Sequence, residues 1–363
     1  MTRVSHAIYT VALSGIPLLA CGARTGLLAG GSQEIEGGAG DGAPPCIGRE
    51  IPLELKAPNL YFVLDHSSSM REEDKWTNVR QVVSDLMTQL GAGARFGAAM
   101  FPGPAMDQCA AGVEVLSLRQ GDVLGATANV FLSATSAPPK GGTPTAATLE
   151  ALLPKLSALL GDTFVILATD GGPNCDPALS CAVDQCTINI DNVDGGPNCP
   201  HGGPPNCCDP PSVSGIGCLD APRSTQAVAD LRAAGIETFV IGIPGSSPYG
   251  TVLDELATVG GTARPAVPRY YRLDTADAAA LTGALGSIAA RAGAGCTFTL
   301  GNAPADTNTV HVSVNGSPVQ RSGGSGGDGW SLAGTTLTLA GASCDAVRAA
   351  GAVSAHLLAG CDG

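Results

Sequence analysis

The stretch Asn59-Leu60-Tyr61-Phe62-Val63-Leu64-Asp65-His66-Ser67-Ser68-Ser69-Met70 decides the fold. Its apolar run, 60–64, is too short for a helix and is bounded by Pro58 before and a polar cluster after. A short, continuous apolar run reads as a strand buried on both faces, as in a parallel sheet. The strand ends in one carboxylate and then three hydroxyls. In an open α/β sheet, ligands gather beyond the carboxyl ends of the strands, so Asp65, Ser67 and Ser69 are expected together at the rim. An acid with two hydroxyls suits a hard cation, which takes oxygen ligands; Mg2+ keeps several waters and asks for an octahedron. On this reading the serine oxygens bind the ion directly and Asp65 holds a coordinated water. Neutral direct ligands leave the ion's charge poorly compensated, which favours an anion such as a partner's carboxylate in the open position. The same residue types are also common helix N-caps, and the short motif alone does not separate the two readings.

Two distant pieces bear on that choice. Lys140-Gly141-Gly142-Thr143-Pro144-Thr145 is a glycine turn that delivers a threonine to the head of an expected helix. Phe164-Val165-Ile166-Leu167-Ala168-Thr169-Asp170-Gly171 is a second buried strand ending in an aspartate. Together the three pieces resemble a von Willebrand factor type A domain. The metal-ion-dependent adhesion site of that family combines DxSxS, a threonine in a GGT turn and an aspartate in a TDG turn. The matching residues are Asp65, Ser67, Ser69, Thr143 and Asp170, in the family's order, and the resemblance covers about 58–293. It implies a doubly wound α/β fold with a six-stranded, mostly parallel sheet, one antiparallel edge and helices on both faces. It also implies a divalent cation, Mg2+ first, with Mn2+ or Ca2+ equally suited to oxygen ligands. The position of His66 faces outward in the family, which makes His66 an expected rim residue for a partner. This chain departs from the family in a cysteine-rich insertion immediately after Asp170.

The chain opens with Arg3, an apolar run over 7–19 and then Leu18-Leu19-Ala20-Cys21. That run is too short to span a bilayer as a helix. The segment resembles a bacterial lipoprotein signal over 1–20, with Cys21 as the acylated first residue; an ordinary secretory signal cleaved near Ala20 is the alternative. Gly22 after the cysteine lends no support to inner-membrane retention, so the expected location is the outer membrane or cell surface, held by a lipid anchor. Net charge is −13 over 363 residues. Such acidity argues against nucleic acid, whose binding depends on neutralising phosphate, and it suits a site that concentrates cations. Setting Cys21 aside, the thirteen cysteines become twelve. An even number in an exported chain favours disulfides over zinc or reactive thiols. Residues 21–48 are glycine-rich, acidic and without periodicity, and read as a flexible tether.

Between 49 and 293 strands and helices alternate, which predicts a mostly parallel sheet covered on both faces. Helices are expected over 75–90, 121–132, 145–160, 224–234, 252–259 and 274–292 from apolar spacings of three and four. Strands are expected over 95–101, 113–118, 236–243 and 270–273, in addition to the two motif strands. The insertion, 171–221, holds seven cysteines. Loops in such folds usually run about two to six residues, so one of this length needs constraints of its own, and disulfides supply them. Its cysteine spacings do not fit a zinc site, and Asn189, Asp191 and Asp194 match a calcium loop only loosely. From 294 to 363 short alternating segments predict a small β-rich unit. A Cys344–Cys361 bridge would suit it, and a Cys46–Cys296 clasp would close the main domain.

Three functions compete. The first is a metal-dependent adhesion or protein-binding module that captures a carboxylate on an unknown protein or surface ligand, without catalysis. The second is a structural envelope lipoprotein whose metal only stiffens it. The third is a metal-dependent hydrolase, which would need a general base that only His66 could offer from within the motif.

Overall fold

The computed structural model describes residues 35–36, 47–53 and 57–358, apart from 105, 203–204, 212, 276, 293–295, 301–302, 305, 315–316, 323–327 and 351–352. The expected signal peptide, Cys21 and most of the expected tether lie outside the described residues. Two strands come first, β1 (Ile35–Glu36) and β2 (Ile47–Leu53). The decisive stretch then forms β3 (Asn59–Asp65), buried at every position. A short 3-10 turn leads into α1 (Lys75–Leu90), followed by β4 (Arg95–Phe101), β5 (Val113–Gln120), α2 (Ala126–Ala134), α3 (Thr145–Leu156) and β6 (Thr163–Thr169). The insertion contains a single turn of helix, α4 (Thr187–Ile190). The main sheet resumes with α5 (Ala221–Ala233), β7 (Glu237–Gly242), α6 (Gly250–Val259), β8 (Tyr271–Arg272) and α7 (Ala278–Arg291).

Six of these strands make one sheet in the order β5-β4-β3-β6-β7-β8. All neighbours are parallel except the edge strand β5, which runs antiparallel to β4. The chain is therefore α/β and doubly wound, as the alternation of elements predicts. The burial of β3 explains its unbroken apolar run. Leu60, Phe62 and Leu64 face a core closed by α1, α2 and α7. Tyr61 and Val63 face the opposite core, closed by α3, α5 and α6. Each such side chain contributes about 1.5–3 kcal/mol when fully buried. The chain leaves β3 to build β4 on one side and later returns to build β6 on the other. The strand order thus reverses between β3 and β6, the crevice where an open sheet of this kind binds ligands.

The expected helix over 145–160 ends earlier, at Leu156. Pro154 lies in its last turn, the Ser157 hydroxyl donates back to the Leu153 carbonyl, and Leu160 is exposed.

The C-terminal strands are β9 (Thr297–Thr299), β10 (Val310–Val314), β11 (Ser317–Val319), β12 (Gly329–Ala333), β13 (Thr336–Ala340) and β14 (Val353–Leu358), with α8 (Ala342–Ala350) before the last. They form a three-stranded sheet, β12-β13-β9, and a five-stranded sheet, β1-β2-β14-β10-β11. A separate core of Phe298, Val310, Val312, Trp330, Leu337 and neighbours fills this unit. β2 lies antiparallel to β14, Gly48 opposite Leu358 and Leu53 opposite Val353. Residues 47–53 thus supply a C-terminal strand with the backbone partner that its edge would otherwise lack.

Five disulfides join described cysteines: Cys109–Cys175, Cys181–Cys218, Cys186–Cys208, Cys199–Cys207 and Cys296–Cys344. The last corrects both bridges expected near the C-terminus. Cys296 precedes β9 and its carbonyl accepts from Leu339 of β13, which brings it beneath Cys344 of α8 at a Cα separation of 5.4 Å. Neither residue is then free for Cys361 or Cys46, which lie outside the described residues.

Candidate metal centre

Asp65 is the last residue of β3 and Asp170 directly follows β6, so neighbouring parallel strands deliver two carboxylates to the same end of the sheet. Both are buried, at 0% and 3% exposure. Asp65 Oδ1 accepts from the Ser67 amide at 2.8 Å, which folds the chain tightly after the strand. Asp65 Oδ2 accepts from the Thr169 hydroxyl at 2.5 Å. Ser69 donates its hydroxyl to Asp170 Oδ1 at 2.8 Å. The Ser67 and Ser69 hydroxyls are 3.1 Å apart. Ser69 has one proton and gives it to Asp170, so Ser67 donates to Ser69.

The third piece is a turn. Gly141 takes φ +83°, a left-handed conformation that suits glycine. A Cβ on Gly142 would lie 2.8 Å from Cys175 Sγ and 3.0 Å from Asn174 Oδ1, so only glycine lets the turn sit against the Cys109–Cys175 bridge. The Ser68 amide donates to Gly141 O, and the Lys140 amide to His66 O, which zips this turn to the loop after β3. Thr143 is buried; its amide donates to Asn174 Oδ1 and its carbonyl accepts from the Asn174 amide. A Cβ on Gly171 would stand 3.8 Å from Thr143 Oγ1, so this hydroxyl faces the turn that carries Asp170. The structure therefore brings Asp65, Ser67, Ser69 and Asp170 into one hydrogen-bonded cluster, with Thr143 at its edge.

His66 is not with them. It is 3% exposed, its ring packs edge-on against Trp76 at 4.7 Å, and Nε2 lies 3.0 Å from the Ala137 carbonyl. The expected rim residue is a buried one, held between the Trp76 ring and the Ala137 carbonyl. Burial also holds its pKa below the ordinary value.

Two other site residues, Lys75 and Asn174, escape sequence reading, and a third, Asp191, enters it only as part of the loose calcium-loop match. Lys75, the first residue of α1, buries its ammonium against Asp170 Oδ2 at 3.0 Å. Asn174 fixes Thr143 from within the insertion. Asp191, also in the insertion, accepts from the Tyr249 hydroxyl at 2.7 Å and feels the charges of Asp170, Glu72 and Lys75. Asn174 had a local signal, the Gly-Gly-Pro-Asn-Cys segment that follows Asp170 and recurs at 195–199.

Electrostatics tests whether a cation fits. Burial, followed by the charge of Asp170, raises the Asp65 pKa. Burial also raises the Asp170 pKa, with Lys75 opposing. Two buried carboxylates thus stand beside one buried ammonium, which pairs with Asp170, and three neutral hydroxyls line the same cluster. Excess buried negative charge is costly unless paired. Hydroxyl and carboxylate oxygens are the donors that Mg2+, Mn2+ and Ca2+ prefer, so the residues present fit a divalent ion.

No family model matches the chain, and no curated protein matches it. Among solved structures it is similar to the pilus adhesin SpaC from Lactobacillus rhamnosus GG in its open conformation, at 17% identity and a TM-score of 0.49, over 84% of this chain and 39% of that one. It is similar to the vWF domain of the type V pili tip protein Mfa5 from Porphyromonas gingivalis, at 13% identity and a TM-score of 0.44, over 66% and 95%. It is also similar to the manganese-loaded TRAP protein of Plasmodium vivax, at 15% identity and a TM-score of 0.38, over 66% and 76%. The chain spans less than half of the SpaC chain that it matches. Likenesses this distant carry no argument about function. Among the described residues no helix is long and apolar enough to cross a membrane.

Proposed function

We propose that the chain is a von Willebrand factor type A module whose metal-ion-dependent adhesion site captures an acidic group of a partner. One observation carries this reading: two adjacent strand tips and one glycine turn gather Asp65, Asp170, Ser67, Ser69 and Thr143 at the point where strand order reverses. Ser67, Ser69 and Thr143 would hold the ion, with Asp65 and Asp170 ordering its surroundings. The bound ion would supply positive charge that a carboxylate on a protein or surface ligand can meet. Mg2+ is the first candidate, with Mn2+ or Ca2+ suited to the same oxygens. The chain's own residues pre-arrange the site: Thr169 and the Ser67 amide orient Asp65, and Asn174 orients Thr143.

Binding is favoured over hydrolysis because the motif's histidine is committed to the Ala137 carbonyl and the Trp76 ring. We further propose export and display at the bacterial outer membrane or cell surface through a lipid on Cys21, a setting that suits the five disulfides. The test is thermal unfolding with and without Mg2+. Saturation at a hundredfold over Kd stabilises a folded protein by about 2.7 kcal/mol, and Asp65→Ala should abolish that gain while the far-ultraviolet spectrum stays unchanged. Capture of a carboxylate-bearing surface ligand should then disappear in EDTA. Equal capture with and without chelator would sink the reading.

A further inference from the structure

Lys75 stands where a lysine is disfavoured three times over. It is the first residue of α1, where the helix dipole repels positive charge. Its side chain is 5% exposed, and burying an ammonium is costly. It also lies against a carboxylate that a metal ion would claim. The backbone is bent to put it there: Glu73 and Asp74 take φ +50° and +56°, a conformation costing about 1–2 kcal/mol for residues other than glycine. Gly245, at φ +109°, closes the other side, where a Cβ would approach Nζ to 3.4 Å. Among the described residues its nearest charged partner is Asp170 Oδ2, at 3.0 Å. A second carboxylate, Glu72 Oε2, waits 3.6 Å from the same nitrogen and is itself largely exposed.

We propose that Lys75 is the resident counter-ion of the site and that a divalent cation is taken up by exchange: the ion neutralises Asp170, and the ammonium swings from Asp170 to Glu72. This rests on the metal-binding reading above and adds its regulation. Without metal, the ammonium offsets the buried charge of Asp170 at the tip of β6. With metal, the same ammonium becomes a like charge beside the ion, so Lys75 weakens affinity and makes occupancy depend on the divalent concentration around the cell.

The test compares the full chain with its Lys75→Met and Lys75→Arg variants by calorimetric titration with Mg2+ and by thermal unfolding. Lys75→Met keeps the apolar stem and removes the charge. Its Mg2+ affinity should rise at least about tenfold, equivalent to ~1.4 kcal/mol, while its melting temperature without metal falls. Lys75→Arg should stay within about threefold of the native affinity. Should Lys75→Met fail to fold without metal, saturating Mg2+ should restore it, and a variant still unfolded in Mg2+ overturns the exchange. A native chain that binds Mg2+ alongside a Lys75→Met variant that binds no more tightly overturns the role of Lys75 alone. A native chain that binds no divalent ion removes the metal reading itself, and the exchange with it.

Discussion

The six-stranded sheet and the insertion at 171–221 are held together by different physics. In the sheet, β3 is buried along its whole length, and its alternate side chains feed two apolar cores. In the insertion the buried cluster consists of cysteines, with Leu179 and Ile188 packed against it. Three bridges, Cys181–Cys218, Cys186–Cys208 and Cys199–Cys207, lie wholly inside it, and Cys175 reaches out to Cys109. Burial shapes one region and sulfur the other, and the candidate metal centre sits on the seam. Asp65 and Asp170 belong to the sheet, whereas Asn174 and Asp191 come from the insertion.

The contrast breaks most visibly at Phe62. It is fully buried beneath α1, and Phe62→Ala should cost about 3–5 kcal/mol by denaturant unfolding. A loss below ~1 kcal/mol would mean that the sheet does not depend on this core. The insertion should respond to a different lever. Replacing both Cys186 and Cys208 by serine opens a 22-residue separation and should cost the insertion about 2–4 kcal/mol. Hydrogen exchange should then speed up across 181–218, while β3 and β6 stay protected. Loss of protection in the strands would show the two regions to be one cooperative unit.

A smaller effect arises where the insertion rejoins the sheet. Asp220 is buried at the head of α5, and burial, reinforced by Asp176, raises its pKa to about 6. Arg223 opposes that rise and Glu150 supports it. The native state therefore holds the proton more tightly than the unfolded chain, whose value is near 3.8. Stability from this group is full below that lower value and is lost as pH rises to about 6. Asp220→Asn should flatten the stability profile between those limits and gain about 1–2 kcal/mol at neutral pH. An unchanged slope in denaturant titrations across that range would remove Asp220 as its source.

The same division decides what could be read from sequence. Buried strands announce themselves through local runs such as Leu60 to Leu64, and α1 through apolar spacings that need no distant partner. The five motif residues were legible as three local fragments, two after strands and one before a helix, whose ends the structure brings close. Lys75 was not, because its partner lies ninety-five positions away and its own helix conceals it as an ordinary polar first residue. The inward turn of His66 depends on the groove between Trp76 and the Ala137 carbonyl, which no local pattern reports. Cysteine spacing predicted bridges in the insertion but not which sulfurs meet. The strand at 47–53 was hidden for a similar reason: its partner, β14, lies at the far end of the chain, and Pro52 blurs its alternation.

The most direct measurement is an anomalous-scattering map of crystals grown in Mn2+. A single strong peak within about 2–2.5 Å of the Ser67, Ser69 and Thr143 hydroxyls, with Lys75 Nζ withdrawn from Asp170, is the predicted result. A map without a peak between the β3 and β6 tips, from crystals saturated with the ion, would contradict the account.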